Sequence, residues 1–181
     1  MINTTNYFLK YTLLFFFLLG TNILSAQTNN GFKYMEEENW RGSERSFRRG
    51  LLESDDQPAS MVGMGYLFQQ EAASNYHLDS AYTYLKDYAI WFDKMGKKAK
   101  KYLLSKGLDE MTTKAVLEKV IDTAYKEALA TNTGLGYEHF ITFYSKTKEE
   151  LLRQAYQKWH QLDYEQTERT GTLAQFVSFF N

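Results

Sequence analysis

Phe140-Ile141-Thr142-Phe143-Tyr144 and Phe176-Val177-Ser178-Phe179-Phe180 are two aromatic pentads, 36 positions apart from residue 140 to residue 176. A Thr/Gly-rich break stands ahead of each, Thr131-Asn132-Thr133-Gly134 for the first and Thr170-Gly171-Thr172 for the second. Ahead of each break runs a long segment of helix-forming residues. The order reads helix, break, helix, used twice. Repeats of this size stack helix pairs whose apolar faces bury against their neighbours, and they seldom carry catalytic groups. Across windows 109–144 and 145–180 only Thr131/Thr167, Phe140/Phe176 and Phe143/Phe179 coincide. The repeat therefore rests on pattern, and an ordinary helical bundle with coincident aromatics is the competing reading. Either way the expected class is all-α, and the repeat reading makes it a solenoid of stacked antiparallel helix pairs.

Composition narrows the function. With 44% apolar and 17% aromatic residues and a single proline, the 181-residue chain has the apolar area to offset the entropy of ordering. A formal net charge of -1 lacks the basic balance that phosphate-backbone binding requires, so no nucleic acid is expected. Cysteine is absent, which removes disulfides, thiolate metal sites, thiol nucleophiles and an attachment point for a lipid anchor.

Residues 1–26 carry the parts of a secretory signal: Lys10, the apolar run Leu13 to Leu19, and Ser25-Ala26 before Gln27 as a small-residue cleavage site. A bilayer span needs about 20 apolar residues, and Lys10, Thr12, Gly20, Thr21 and Asn22 interrupt this stretch. Cleavage is the expectation, with an uncleaved anchor as the alternative. Residues 27–33, with Gln27, Thr28, Asn29, Asn30 and Gly31, have loop composition and predict a flexible tail, structure beginning near Phe32.

From there Phe32, Met35, Trp40, Ser43, Phe47, Gly50 and Leu51 recur at helical spacing. Ser54 to Gln57 break the pattern, and Pro58 is placed to open a helix over about residues 59–73, where Gly63 and Gly65 allow close approach. A second break at 74–78 leads to Asp79 as an N-cap and a helix over about 80–95. Residues 96–109, rich in lysine from Lys97 to Lys106, read as a basic linker. That stretch either meets an anionic partner or is a solvated helix end whose lysines face the dipole. Next come a long helix from about Met111 to Ala130 with a broad apolar stripe, and the first pentad helix near 135–144. Thr147-Lys148-Glu149-Glu150 then has the form of a capping box for a helix to about Gln166, and residues 172–181 begin its partner. The apolar end Val177 to Phe180 either folds back into the core or marks the front part of a longer array.

Over residues 34–95, Trp40, Phe47, Pro58, Gly65, Tyr66, Phe68, Ala81 and Leu85 together resemble a degenerate tetratricopeptide-repeat pattern. Residues 110–181 are similar in style to the helical-hairpin arrays that follow such repeats in exported envelope proteins of Gram-negative bacteria. Some of those end in a peptidoglycan-binding domain of the outer-membrane-protein-A type, of which this sequence shows no sign. The resemblance implies an exported, periplasmic or envelope-associated scaffold whose concave helix faces bind a protein or peptide partner.

Catalytic signatures are missing. His77, His139 and His160 lie far apart in sequence, with no partner at metal-ligand spacing, so neither metal nor cofactor is expected. Glu36-Glu37-Glu38 and Asp55-Asp56 sit where first turns and loops favour carboxylates. No nucleophile elbow, His-Glu-x-x-His helix or phosphate loop occurs. The expectation is a non-enzymatic partner-binding scaffold, with Tyr66, Tyr82, Tyr84 and Tyr88 as candidate lining of a peptide groove, since tyrosine suits interfaces. The alternatives are an N-terminal structural spacer of a larger peptidoglycan- or outer-membrane-associated protein, and an envelope hydrolase with converging histidines and carboxylates.

Overall fold

A computed structural model describes residues 26–170. Among them the fold is all-helical: α1 (Ala26–Glu36), α2 (Trp40–Gly50), α3 (Gln57–Phe68), α4 (Leu78–Leu85), α5 (Tyr88–Lys94), α6 (Lys97–Ser105), α7 (Glu110–Thr131), α8 (Gly134–Phe143) and α9 (Glu149–Thr170). Residues 1–25 of the expected signal segment 1–26, and the second pentad, lie outside the described residues. Two compact units divide between Ala115 and Val116, inside α7.

The first unit is built on α3. Its sequence, QPASMVGMGYLF, has no charge and no polar face, and ten of its twelve residues are buried. A helix that is apolar all round must be covered all round. Helices α1, α2, α4, α5 and α6 all pack against it. Pro58 stands in its first turn, where a missing N–H costs nothing.

Phe47 of α2 interlocks the first three helices. Its ring is fully buried and fills the space left by Gly31 of α1 and Gly63 of α3. A Cβ at Gly31 would fall 2.5 Å from Phe47 Cδ1, and one at Gly63 would fall 2.5 Å from Cζ. Phe32 meets the same ring edge-on at 4.9 Å. Ser43 adds a buried hydrogen bond to the Gly31 carbonyl at 2.9 Å. On another side of α3, Gly65 receives the Leu85 side chain of α4 in the same way.

These contacts explain where local composition misleads. Residues 27–33 are not a tail: they lie within α1, because Thr28, Gly31 and Phe32 face inward at helical spacing and packing outweighs the loop-like Asn-Asn-Gly. The helix expected to reach residue 73 ends at Phe68, and a turn closed by His77 N–H to Phe68 C=O at 2.9 Å follows. The helix expected over 80–95 is two helices, α4 and α5, parted at Lys86-Asp87, and both lie on α3. His77, not the expected Asp79, caps α4, its Nδ1 accepting from Ser80 N–H at 3.2 Å, and Asp79 lies in the first turn. Residues 96–109 are mostly helix, α6, fixed to α1 by Tyr102 Oη donating to the Asn29 carbonyl at 3.4 Å and by Lys106 pairing with Glu36 at 2.5 Å.

The second unit gathers the rest of α7 with α8 and α9. Of the expected apolar stripe, Val120, Ile121, Ala124, Tyr125 and Ala128 are buried along α7, Val116 and Leu117 are half-buried, and Leu129 is exposed. Phe140 lies between the rings of Tyr125 and Tyr144, each at 5.3 Å. In the first pentad Phe140, Ile141 and Tyr144 are buried, and Phe143 is exposed, its ring stacked on His139. Thr133 caps α8 by accepting from Gly136 N–H at 3.1 Å. The capping box at 147–150 does not form its side-chain bond: α9 starts at Glu149, and Thr147 Oγ1 is buried with no hydrogen-bond partner.

Candidate partner-binding site

Helix α2, WRGSERSFRRG, divides sharply into two faces. Ser43, Ser46, Phe47 and Gly50 are buried, while Arg41, Arg45, Arg48 and Arg49 are exposed. At about 100° per residue, the four arginines and Leu52 fall in a sector of about 100°. Asn39 fixes the start of the helix, its Oδ1 accepting from Gly42 N–H at 3.0 Å. These four are most of the six arginines in the chain, whose other cationic side chains are lysines. They line a shallow cleft of about 430 Å³ together with Glu44 and Leu52, which is 84% exposed.

Charge on this face is only partly neutralised. Arg48 Nη2 meets Glu44 Oε1 at 2.7 Å, and the other oxygen of Glu44 accepts from Asn75 Nδ2 at 3.1 Å. The guanidinium groups of Arg41, Arg45 and Arg49 have no hydrogen-bond or ion-pair partner among the described residues. The helix dipole accounts for Arg48 and Arg49, which lie in the last turn. It opposes Arg41, which lies in the first turn, where a cation is disfavoured. Fold stability thus explains part of the cluster and leaves Arg41 and Arg45 unexplained.

A second opening in the same unit, about 590 Å³, lies between α1, the turn before α3 and the start of α6. Its wall holds Asp56, which is buried and accepts from Thr28 N–H at 3.4 Å. Burial pushes the Asp56 carboxyl above the usual carboxylate range, against the hydrogen bonds from Thr28. Beneath it Thr28 Oγ1 and Ser60 Oγ share a hydrogen bond at 2.8 Å. Lys94, Lys97 and Lys98 also line this opening, each solvent-exposed. In the second unit a smaller opening of about 300 Å³ lies between the start of α8 and Trp159 of α9.

Of the four tyrosines expected to line a groove, two are closed off from solvent and two are half-buried. Tyr66 and Tyr82 are 5% and 2% exposed and belong to the core, Tyr66 Oη lying 3.4 Å from Thr113 Oγ1. Tyr84 is half-buried and stacked on Phe68 at 5.7 Å, and Tyr88 is half-buried at the start of α5. His77, His139 and His160 are all exposed, and none lines the openings described above. Among the described residues no group of three or more His, Cys, Asp or Glu is placed to hold a metal, and no helix is long and apolar enough to cross a membrane.

The arginine face was legible in principle. Positions 41, 45, 48 and 49 carry the same periodicity as the buried small and apolar residues Ser43, Ser46, Phe47 and Gly50, read for charge instead of burial. No protein-family model, curated protein or solved structure matches the chain.

Proposed function

We propose that this protein is a non-enzymatic, exported helical scaffold that binds a protein or peptide partner in the cell envelope, and that the arginine face of α2 is where the partner docks. In this reading residues 1–26 are a signal peptide, removed before Gln27. The helix pairs of the first unit are repeat units of tetratricopeptide type. The observation that carries the reading is the set of unpaired guanidinium groups of Arg41, Arg45 and Arg49 on one exposed helix face. The opposite face of that helix is locked by Phe47. A rigid helix holds a binding constellation more closely than a loop does. Arginine adds a planar fork of donors that suits carboxylates.

The test is photo-crosslinking in the native host, with a photoreactive residue at position 45 and a control at position 158 on α9. A discrete protein adduct from position 45, absent from position 158, is expected. Adducts of equal pattern from both positions, or none from position 45, would refute the docking face. Sequencing the N-terminus of the isolated protein checks the export part of the proposal, with Gln27 as the expected first residue.

A further inference from the structure

The spacing on α2 carries more than a sign of charge. Arg41, Arg45 and Arg49 are four residues apart along one helix, so their attachment points rise by about 6 Å per step. In an extended chain, side chains on one side repeat every second residue, at about 6.6 to 6.8 Å. The flexible arginine stem absorbs the difference. A lone carboxylate would leave two of the three guanidinium groups unmatched, whereas carboxylates at alternate positions of one strand would meet all three in order.

A helical partner could also present carboxylates at about 6 Å intervals, one every fourth residue. Helix-on-helix docking, however, is driven by apolar burial. The only apolar side chain lining this cleft is Leu52. An extended segment needs no such burial, because its backbone stays solvated while its side chains pair. Glu44 does not compete for the ladder, being engaged by Arg48 and Asn75.

We infer that the α2 face binds an extended acidic segment of a partner protein, with carboxylates at every second residue, read by Arg41, Arg45 and Arg49. The inference rests on the proposed docking role of this face and adds the partner's chemistry and conformation.

Fluorescence anisotropy on the full chain tests it, using labelled peptides of one composition that place glutamate at every second position, at every fourth, or in a single block. The alternating peptide is expected to bind about tenfold more tightly than the other two. Arg45→Glu should weaken it by about tenfold or more, while Arg45→Lys should cost less but still be measurable, since the charge stays and the fork is lost. Lys97→Glu, on α6, should leave binding unchanged. Both positions are exposed, and an unaltered far-ultraviolet circular dichroism spectrum shows that each variant is folded. Equal affinity for the three arrangements would overturn the register. Preference for phosphatidylglycerol vesicles or duplex DNA over every peptide, with the same sensitivity to Arg45→Glu, would overturn the assignment of a protein partner. If the peptides fail while position 45 still forms a discrete adduct in the host, the inference falls and the docking face stands. If both fail, both fall.

Discussion

Replacing Gly63 by alanine sets two effects of opposite sign against each other. In the middle of a helix, alanine is favoured over glycine by about 0.5 to 1 kcal/mol, because glycine loses more backbone freedom on folding. Position 63 is interior to α3, so propensity alone makes the variant more stable. The new methyl carbon, however, would lie 2.5 Å from Phe47 Cζ, and carbon atoms are comfortable only at about 3.5 to 4.0 Å. The ring would have to retreat by about 1 Å or more. Its retreat is blocked, since Phe47 is fully buried, backs onto Gly31 and meets Phe32 edge-on. Overpacking of this kind costs about 1 to 3 kcal/mol, so a net loss of about 1 to 2 kcal/mol is expected. Urea unfolding followed by circular dichroism at 222 nm measures it. Phe47→Leu supplies the second leg of a double-mutant cycle: it is destabilising alone, but Gly63→Ala added to it should recover stability. The coupling should be about 1 kcal/mol or more. Additive effects, or a Gly63→Ala single variant as stable as the parent, would refute the interlock.

Two carboxylates are expected to respond to acid in opposite senses. Asp109 accepts from Thr112 N–H at 2.6 Å at the start of α7, and this bonding holds its carboxyl below the usual range. Its stabilisation is therefore full above the unfolded-state value and is lost as pH falls through the folded one, so Asp109→Ala should lower the melting temperature near neutrality and much less in strong acid. A pH-independent difference would show that the cap is not its cause. Asp56 has a raised value from burial, so its ionised form is a cost present above the folded value and absent below the unfolded one. Asp56→Asn should raise the melting temperature near neutral pH and leave it unchanged in acid, and a fall at neutrality would contradict this. Thr147→Val replaces a buried hydroxyl without a partner by a methyl of similar shape, which should stabilise the second unit by about 1 kcal/mol in urea titrations. A loss of stability would mean that the hydroxyl is satisfied in solution.

Helical class and several element positions followed from periodicity. The stripe of α7 and the burial of Phe140 and Tyr144 were readable because spacing of three and four residues is a local property of the chain. The parting of α4 from α5 was not, since Lys86 and Asp87 are no local breakers and the apolar period runs on through them. That parting lets both short helices lie on α3, a demand of packing that no window along the sequence contains. Residues 27–33 show the same limit from the other side: Gly31 looks like a loop residue until Phe47 is seen to occupy its empty side. Aromatic content pointed to tyrosine as the binding chemistry, yet Tyr66 and Tyr82 were drawn into the core because α3 and α4 bury that face. The second pentad lies outside the described residues, so the twofold repeat gains no support from the fold.

Gly31, Phe47 and Gly63 are evenly placed along the chain, 16 residues separating each from the next. All three parts of the interlock therefore lie in one continuous stretch within the first unit. Contacts so near in sequence close small loops, which cost little entropy and form early. The interlock of α1, α2 and α3 thus closes through short loops, and the arginine face takes its rigid backing from the single stretch between Gly31 and Gly63.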